Sequence, residues 1–294
     1  CTLEGLDMNP VMYEYVLEKA WNDKPTNINQ WIRNWAIRRC GEPDKNVEKA
    51  WELLFSKIYT SPTDNHSSLI NARPTLKKKP RWFSNIDYNN SDLLEAWRLL
   101  LNSNSRNRGT YRFDIVNIGR QFLENYFINL KAQFITDYNH KDLQALISDS
   151  SRMIDLINDL DKLVATQPSL LLGKWLKDAE NMGRNENEKL YFRKDARNII
   201  TTWGGEQQSL NDYANRSWSG LVTDFYGTRW KMFLHEILTS LRKNVPFDEK
   251  AFMKEVTAFE WQWVQKDKNF PDEPSGDAVK ISKQLYKKYK DGIQ

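Results

Sequence analysis

Tyr111-Arg112-Phe113-Asp114-Ile115-Val116-Asn117-Ile118-Gly119-Arg120-Gln121-Phe122-Leu123-Glu124-Asn125-Tyr126-Phe127-Ile128-Asn129-Leu130 opens a periodic run that extends to residue 138. Phe113, Val116, Phe122, Tyr126 and Leu130 fall at helical spacing, which gathers side chains on one face, and not at the alternation of a strand. The same rhythm returns from Lys141 to about Ala165 through Leu143, Leu146, Ile154, Ile157 and Leu163, and Pro168 closes it. Two long helices in succession set the expectation for the rest: an all-α chain of multiple helices packed helix on helix.

Working outward, Asn9-Pro10 reads as an N-cap followed by proline at the first helical position, with Val11, Tyr15 and Ala20 facing inward before Asp23-Lys24-Pro25 stops the run. A second helix starts near Asn27, carries Ile28, Trp31 and Trp35 on one face and ends at Gly41. A third runs roughly from Asp44 to Tyr59 through Val47, Trp51, Leu54 and Ile58. Residues 60–90 lose the periodicity and include Lys77-Lys78-Lys79-Pro80-Arg81, which predicts a long surface connection. A short helix follows, capped by Ser91, with Leu93, Leu94, Trp97 and Leu101. Further helices are expected near 170–183, 186–200, 212–225, 228–243, 248–266 and 276–290. Only Cys1-Thr2-Leu3-Glu4-Gly5-Leu6 differs: it reads as a strand end, and a strand cannot satisfy its backbone alone, so its sheet is expected upstream.

Composition agrees with helix and narrows the function. The 294 residues are 40% hydrophobic and 13% aromatic, enough for a sizeable core, and 12 glycines are few for this length. The 43 basic and 39 acidic residues give a net charge of +4 on a mixed-sign surface, which predicts no nucleic-acid partner. No apolar run is long enough to cross a bilayer, so no membrane partner is expected. The N-terminus reads as neither a signal nor a transit peptide, and any targeting segment is expected upstream or removed. Cys1 and Cys40 leave the redox compartment open. His66, His140 and His235 are scattered without ligand spacing, Gly204-Gly205 lacks the lysine of a phosphate loop, and no nucleophile elbow occurs. No metal or cofactor is expected.

Of the 12 tryptophans, Trp31, Trp35, Trp51, Trp97, Trp218 and Trp230 lie in register with other apolar residues and read as core. Trp203 falls between helices beside Gly204-Gly205, ahead of an expected helix start at Asn211-Asp212-Tyr213, where an aromatic can meet a ligand. Glu4 by position alone is a surface acid before a helix.

Leu3-Glu4-Gly5-Leu6-Asp7-Met8-Asn9-Pro10-Val11-Met12-Tyr13, Ala36-Ile37-Arg38-Arg39-Cys40-Gly41, Ala72-Arg73-Pro74 and Leu94-Glu95-Ala96-Trp97-Arg98-Leu99-Leu100 are followed by Tyr111-Arg112-Phe113-Asp114 with Arg120-Gln121. Then come Leu171-Leu172-Gly173-Lys174-Trp175-Leu176, Arg197, Trp203-Gly204, Asp212-Tyr213-Ala214-Asn215 and Arg229-Trp230. In order and spacing these blocks resemble the C-terminal part of glycoside hydrolase family 89, the retaining exo-acting α-N-acetylglucosaminidases, over nearly the whole chain.

The resemblance implies the last strand and helix of a (β/α)8 catalytic barrel in residues 1–24, and an α-helical domain lining the active site in residues 25–294. Glu4 matches the nucleophile, at the C-terminal end of a barrel strand. The general acid/base, which a retaining mechanism requires, lies upstream, so the chain by itself is expected to be an inactive fragment. Trp203 and Tyr213 match pocket positions that contact the sugar, with Leu210 beside them, although one extra residue falls within Gly205-Glu206-Gln207-Gln208. The implied partners are a glycan ending in α-linked N-acetylglucosamine, as in glycosaminoglycan degradation, and the upstream barrel; a homo-oligomer stays open. The implied compartments are lysosomal, secreted or periplasmic. A non-catalytic helical glycan-binding or oligomerisation module is the competing reading, and a helical lyase a third.

Overall fold

The computed structural model describes residues 8–22, 24–60, 68–77, 86–104, 108–206 and 210–292. These hold eleven α-helices: α1 Pro10–Lys19, α2 Ile28–Cys40, α3 Lys45–Lys57, α4 Asn90–Leu101, α5 Gly109–Asn139, α6 Leu143–Val164, α7 Leu172–Glu180, α8 Glu186–Ile199, α9 Gly227–Arg242, α10 Glu249–Gln265 and α11 Ala278–Tyr289. Among the described residues the nearest thing to a sheet is one isolated parallel bridge, Leu171 to Ser219. The chain is all-α.

The helices form two compact units, Cys1–Ser61 with Tyr88–Gln121 and Ala278–Gln294, and Pro62–Asp87 with Phe122–Asp277. In the first unit the aromatic faces expected from the spacing make the core. Trp31 stacks on Trp35 at 5.9 Å, and Trp35 meets Trp51 edge to face at 5.5 Å. The Trp31 indole N–H donates to Glu18 of α1 at 2.7 Å, and Tyr15 packs edge-on against the same ring. Arg39 lies over Trp35 and grips Asp114 through two bonds, 2.9 and 2.5 Å, so two stretches far apart in sequence meet as an ion pair. Burial pushes the Asp114 carboxyl up to about 6 against the pull of that guanidinium.

Helix ends follow their sequence signals with two exceptions. Asn27, Asp44, Asp142 and Asp248 each cap a helix through side-chain oxygen, and Gly41 ends α2 at φ +89°. Asn9 stands at the N-cap position of α1 without a side-chain bond, and Ala20 is exposed. Ser91 lies inside α4, whose cap position is Asn89.

Two larger expectations are corrected in the second unit. Within the connection expected over 60–90, residues 68–77 are not a surface crossing: Leu69, Ile70, Asn71, Ala72 and Thr75 are buried, whereas Asp87 and Asn89 near its far end are exposed. Its carbonyls are satisfied from afar, Ile70 O by the Trp230 indole N–H at 2.9 Å and Lys77 O by the Lys131 ammonium at 2.7 Å. Lys78–Arg81 of the basic cluster lie outside the described residues. The helix expected over 212–225 is also absent; residues 211–218 are turns and open chain, and a π-turn, Val222–Tyr226, leads directly into α9. No helix among the described residues is long and apolar enough to cross a membrane. Cys40 is a buried free thiol whose S–H donates to Glu42 O at 2.8 Å.

Candidate functional site

The second unit carries the two arms that follow α8. The first, Thr201–Gly204, is folded by one side chain: Asn198 Oδ1 accepts from Gly204 N at 2.8 Å and from Thr202 Oγ1 at 2.6 Å, while Asn198 O accepts from Trp203 N at 2.8 Å. This holds Trp203 in the left-handed region at φ +53°. An indole there is uncommon and is kept only where the surroundings over-determine it. The second arm, Leu210–Ser217, has two more left-handed residues, Asp212 at +64° and Asn215 at +47°. Asn and Asp are the side chains best suited to that conformation.

The arms are tied by Asp212 N, which donates to Thr201 O at 2.8 Å. In consequence Trp203 and Tyr213 meet edge to face, their rings 5.3 Å apart and inclined at 69°. Trp203 is 36% exposed, Leu210 39% and Tyr213 44%, so the cluster presents an aromatic and apolar surface to solvent. Six other tryptophans expected in the core are there, Trp218 included at 8% exposure. Trp203 is thus one of three exposed tryptophans among the described residues, with Trp21 at 79% and Trp175 at 38%.

Beneath this surface lies a buried ionic cluster. Arg229, fully buried, donates from Nη1 to both Asp212 oxygens at 2.9 and 3.0 Å and to Glu260 Oε1 at 2.7 Å, and from Nη2 to Asn71 O. Glu260 also accepts from Arg73, at 3.0 and 3.2 Å to Nε and through a closer contact to Nη2. Phe225 and Tyr226 cover the Arg229 guanidinium at 4.8 and 5.1 Å. Two guanidinium groups thus face two carboxylates, which makes their burial tolerable. Burial raises both carboxyls, but Glu260 touches both arginines and is held below the usual carboxylate range, whereas Asp212 touches one and is pushed up to about 6. Asn215 Oδ1 accepts from Asn71 Nδ2 at 2.9 Å, and Asn71 Nδ2 also donates to Ser217 Oγ at 2.9 Å, which pins the far end of the second arm.

The structure thus brings Trp203, Tyr213 and Leu210 into one region. Glu4 lies outside the described residues. Sequence reasoning quoted Arg73 and Arg229 only as parts of a resemblance, and Asp212 there and in an expected helix start; their joint role, and that of Asn71 and Glu260, becomes visible with the fold.

A helical domain that presents two exposed aromatics, one of them on left-handed backbone, over a neutralised ionic base has the means to bind a flat, C–H-rich ligand face. Residues 31–288 match the family of the alpha-N-acetylglucosaminidase (NAGLU) C-terminal domain, and the chain belongs to that family. Human alpha-N-acetylglucosaminidase is 31% identical over 295 residues, covering 97% of this chain and 39% of the human protein. CpGH89 from Clostridium perfringens, in complex with its substrate GlcNAc-alpha-1,4-galactose, superposes with a TM-score of 0.88 at 26% identity, over 97% of this chain and 34% of that one. The family 89 glycoside hydrolase from the same organism in complex with 2-acetamido-1,2-dideoxynojirmycin gives 0.86 at 27% identity, over 96% and 34%. The chain therefore spans about two fifths of the length of the human relative and a third of the clostridial one.

Proposed function

We propose that this chain is the C-terminal part of a retaining exo-α-N-acetylglucosaminidase, and that Trp203, Tyr213 and Leu210 contact the terminal N-acetylglucosamine of its glycan. The observation that carries the reading is the exposed Trp203 and Tyr213 pair, Trp203 itself at φ +53° and Tyr213 directly after left-handed Asp212, in a fold that matches proteins solved with GlcNAc-alpha-1,4-galactose and with 2-acetamido-1,2-dideoxynojirmycin. An indole face covers the apolar C–H face of a pyranose, and a phenol can hydrogen-bond at its edge. Glu4, from the resemblance of Leu3–Tyr13, supplies the nucleophile that attacks the anomeric carbon. The acid/base that protonates the leaving oxygen, and then activates water, belongs to an upstream barrel whose last strand and helix are residues 1–24.

In the full-length protein, Glu4→Ala should lower kcat on an aryl α-N-acetylglucosaminide by several orders of magnitude. Added azide should restore part of the turnover and yield the β-glycosyl azide, because the smaller side chain admits an external nucleophile on the opposite face. The chain of 294 residues alone should not turn over the same substrate. Rates for Glu4→Ala within tenfold of the parent, or no azide product despite an intact fold, would remove Glu4 from the nucleophile role.

A further inference from the structure

Asp212 is the residue through which the two arms, the exposed aromatics and the ionic base are joined. Its backbone N–H donates to Thr201 O, two residues from Trp203, and its carbonyl accepts from Asn215 N at 3.1 Å. Its carboxylate takes two bonds from Arg229 and one from Asn211 Nδ2 at 3.2 Å. The next residue along the chain is Tyr213. From this geometry we infer that Asp212 is a positioning residue whose bond to Arg229 sets the Trp203 and Tyr213 pair, so that its ionisation controls the affinity for the sugar. The inference rests on the functional reading above and names the residue that regulates that same site.

The electrostatics give the control a direction. Arg229, Glu260, Arg73 and Tyr226 are the ionisable groups around Asp212. Glu260 keeps its charge because it is shared by Arg229 and Arg73, so the first proton taken up by the cluster goes to Asp212, whose carboxyl stands at about 6. Above that pH the carboxylate holds Arg229 through both oxygens. Below it one oxygen carries a proton, a donor facing a guanidinium that has only donors, and one of the two bonds is lost. The strained turn at Asp212 then loses part of what holds it, and the aromatic pair loosens.

The test uses the full-length protein and N-acetylglucosamine, a neutral sugar without a titrating group of its own, with Kd measured from pH 7.5 to pH 4.5. Affinity should weaken as pH falls through about 6. Asp212→Asn keeps the shape and tolerates φ > 0, but it cannot ionise; its Kd at pH 7.5 should be raised roughly tenfold, a loss of about 1.4 kcal/mol, and the step near pH 6 should vanish. Trp203→Ala and Tyr213→Phe serve as controls on the functional reading. If neither raises Kd, that reading fails. If both raise it while Asp212→Asn keeps the parent's affinity and pH step, the inference about Asp212 is overturned and the functional reading survives. Should Asp212→Asn not fold, the parent protein decides: a Kd without a step near pH 6 overturns the inference.

Discussion

At the scale of single residues, the clearest constraint in the first unit is a glycine inside a helix. Gly119 costs α5 about 1 kcal/mol relative to alanine, and Trp97 explains its presence. A Cβ at position 119 would stand 2.5 Å from Trp97 Cζ2 and 2.7 Å from Cε2, and that indole is fully buried. Overpacking of this kind costs about 1–3 kcal/mol, so the clash outweighs the gain in helix propensity. Gly119→Ala should therefore lower the Tm by a few degrees, whereas Gly109→Ala, with nothing within 4 Å, should leave it unchanged or raise it. Equal Tm changes for the two variants would show that the indole yields and that the close approach is not a constraint.

At the scale of elements, the start of α9 depends on a residue of another helix. Asp161 of α6 accepts from Ser219 Oγ at 3.0 Å, Gly220 N at 2.9 Å, and Thr223 N and Oγ1 at 3.2 Å, which caps the π-turn from outside. Burial raises the Asp161 carboxyl, and those four bonds resist it. Asp161→Ala would leave the half-buried N–H groups of Gly220 and Thr223 without their acceptor, at less than the roughly 1–3 kcal/mol of a fully buried donor; Asp161→Asn retains one acceptor and should cost less. Thermal melts should rank parent above Asp161→Asn above Asp161→Ala, and an alanine variant as stable as the parent would contradict the capping role.

Elements also show where sequence stops being readable. The spacing at three and four residues carried the long helices, because burial of one face is a local pattern. The helix expected over 212–225 failed because Asp212 and Asn215 adopt left-handed turns for partners 17 residues on, at Arg229, and 144 residues back, at Asn71. Asp and Asn at those places were the available signal. Residues 68–77 read as surface from their polarity, yet Trp230, Lys131 and Arg229 supply the donors that let their carbonyls be buried. Those donors come from other elements, so the local composition could not reveal them. Trp203 and Tyr213 were legible from their setting and the resemblance; the ionic base beneath them was not, since Glu260 stands in an ordinary helical run.

At the scale of the molecule, the chain is a family member that covers part of its relatives' length, and the sugar contacts proposed for it fall on one loop pair of the second unit. The charged cluster there need not add stability, because buried ion pairs often do no better than apolar packing. What it supplies is a fixed direction for two exposed rings.

The most direct measurement is a crystal structure of the full-length protein with N-acetylglucosamine bound. The account predicts the pyranose within van der Waals distance of the Trp203 indole, about 3.5–4.0 Å between carbons, with the Tyr213 hydroxyl in hydrogen-bonding reach of the sugar. A sugar bound with neither side chain in contact would contradict it.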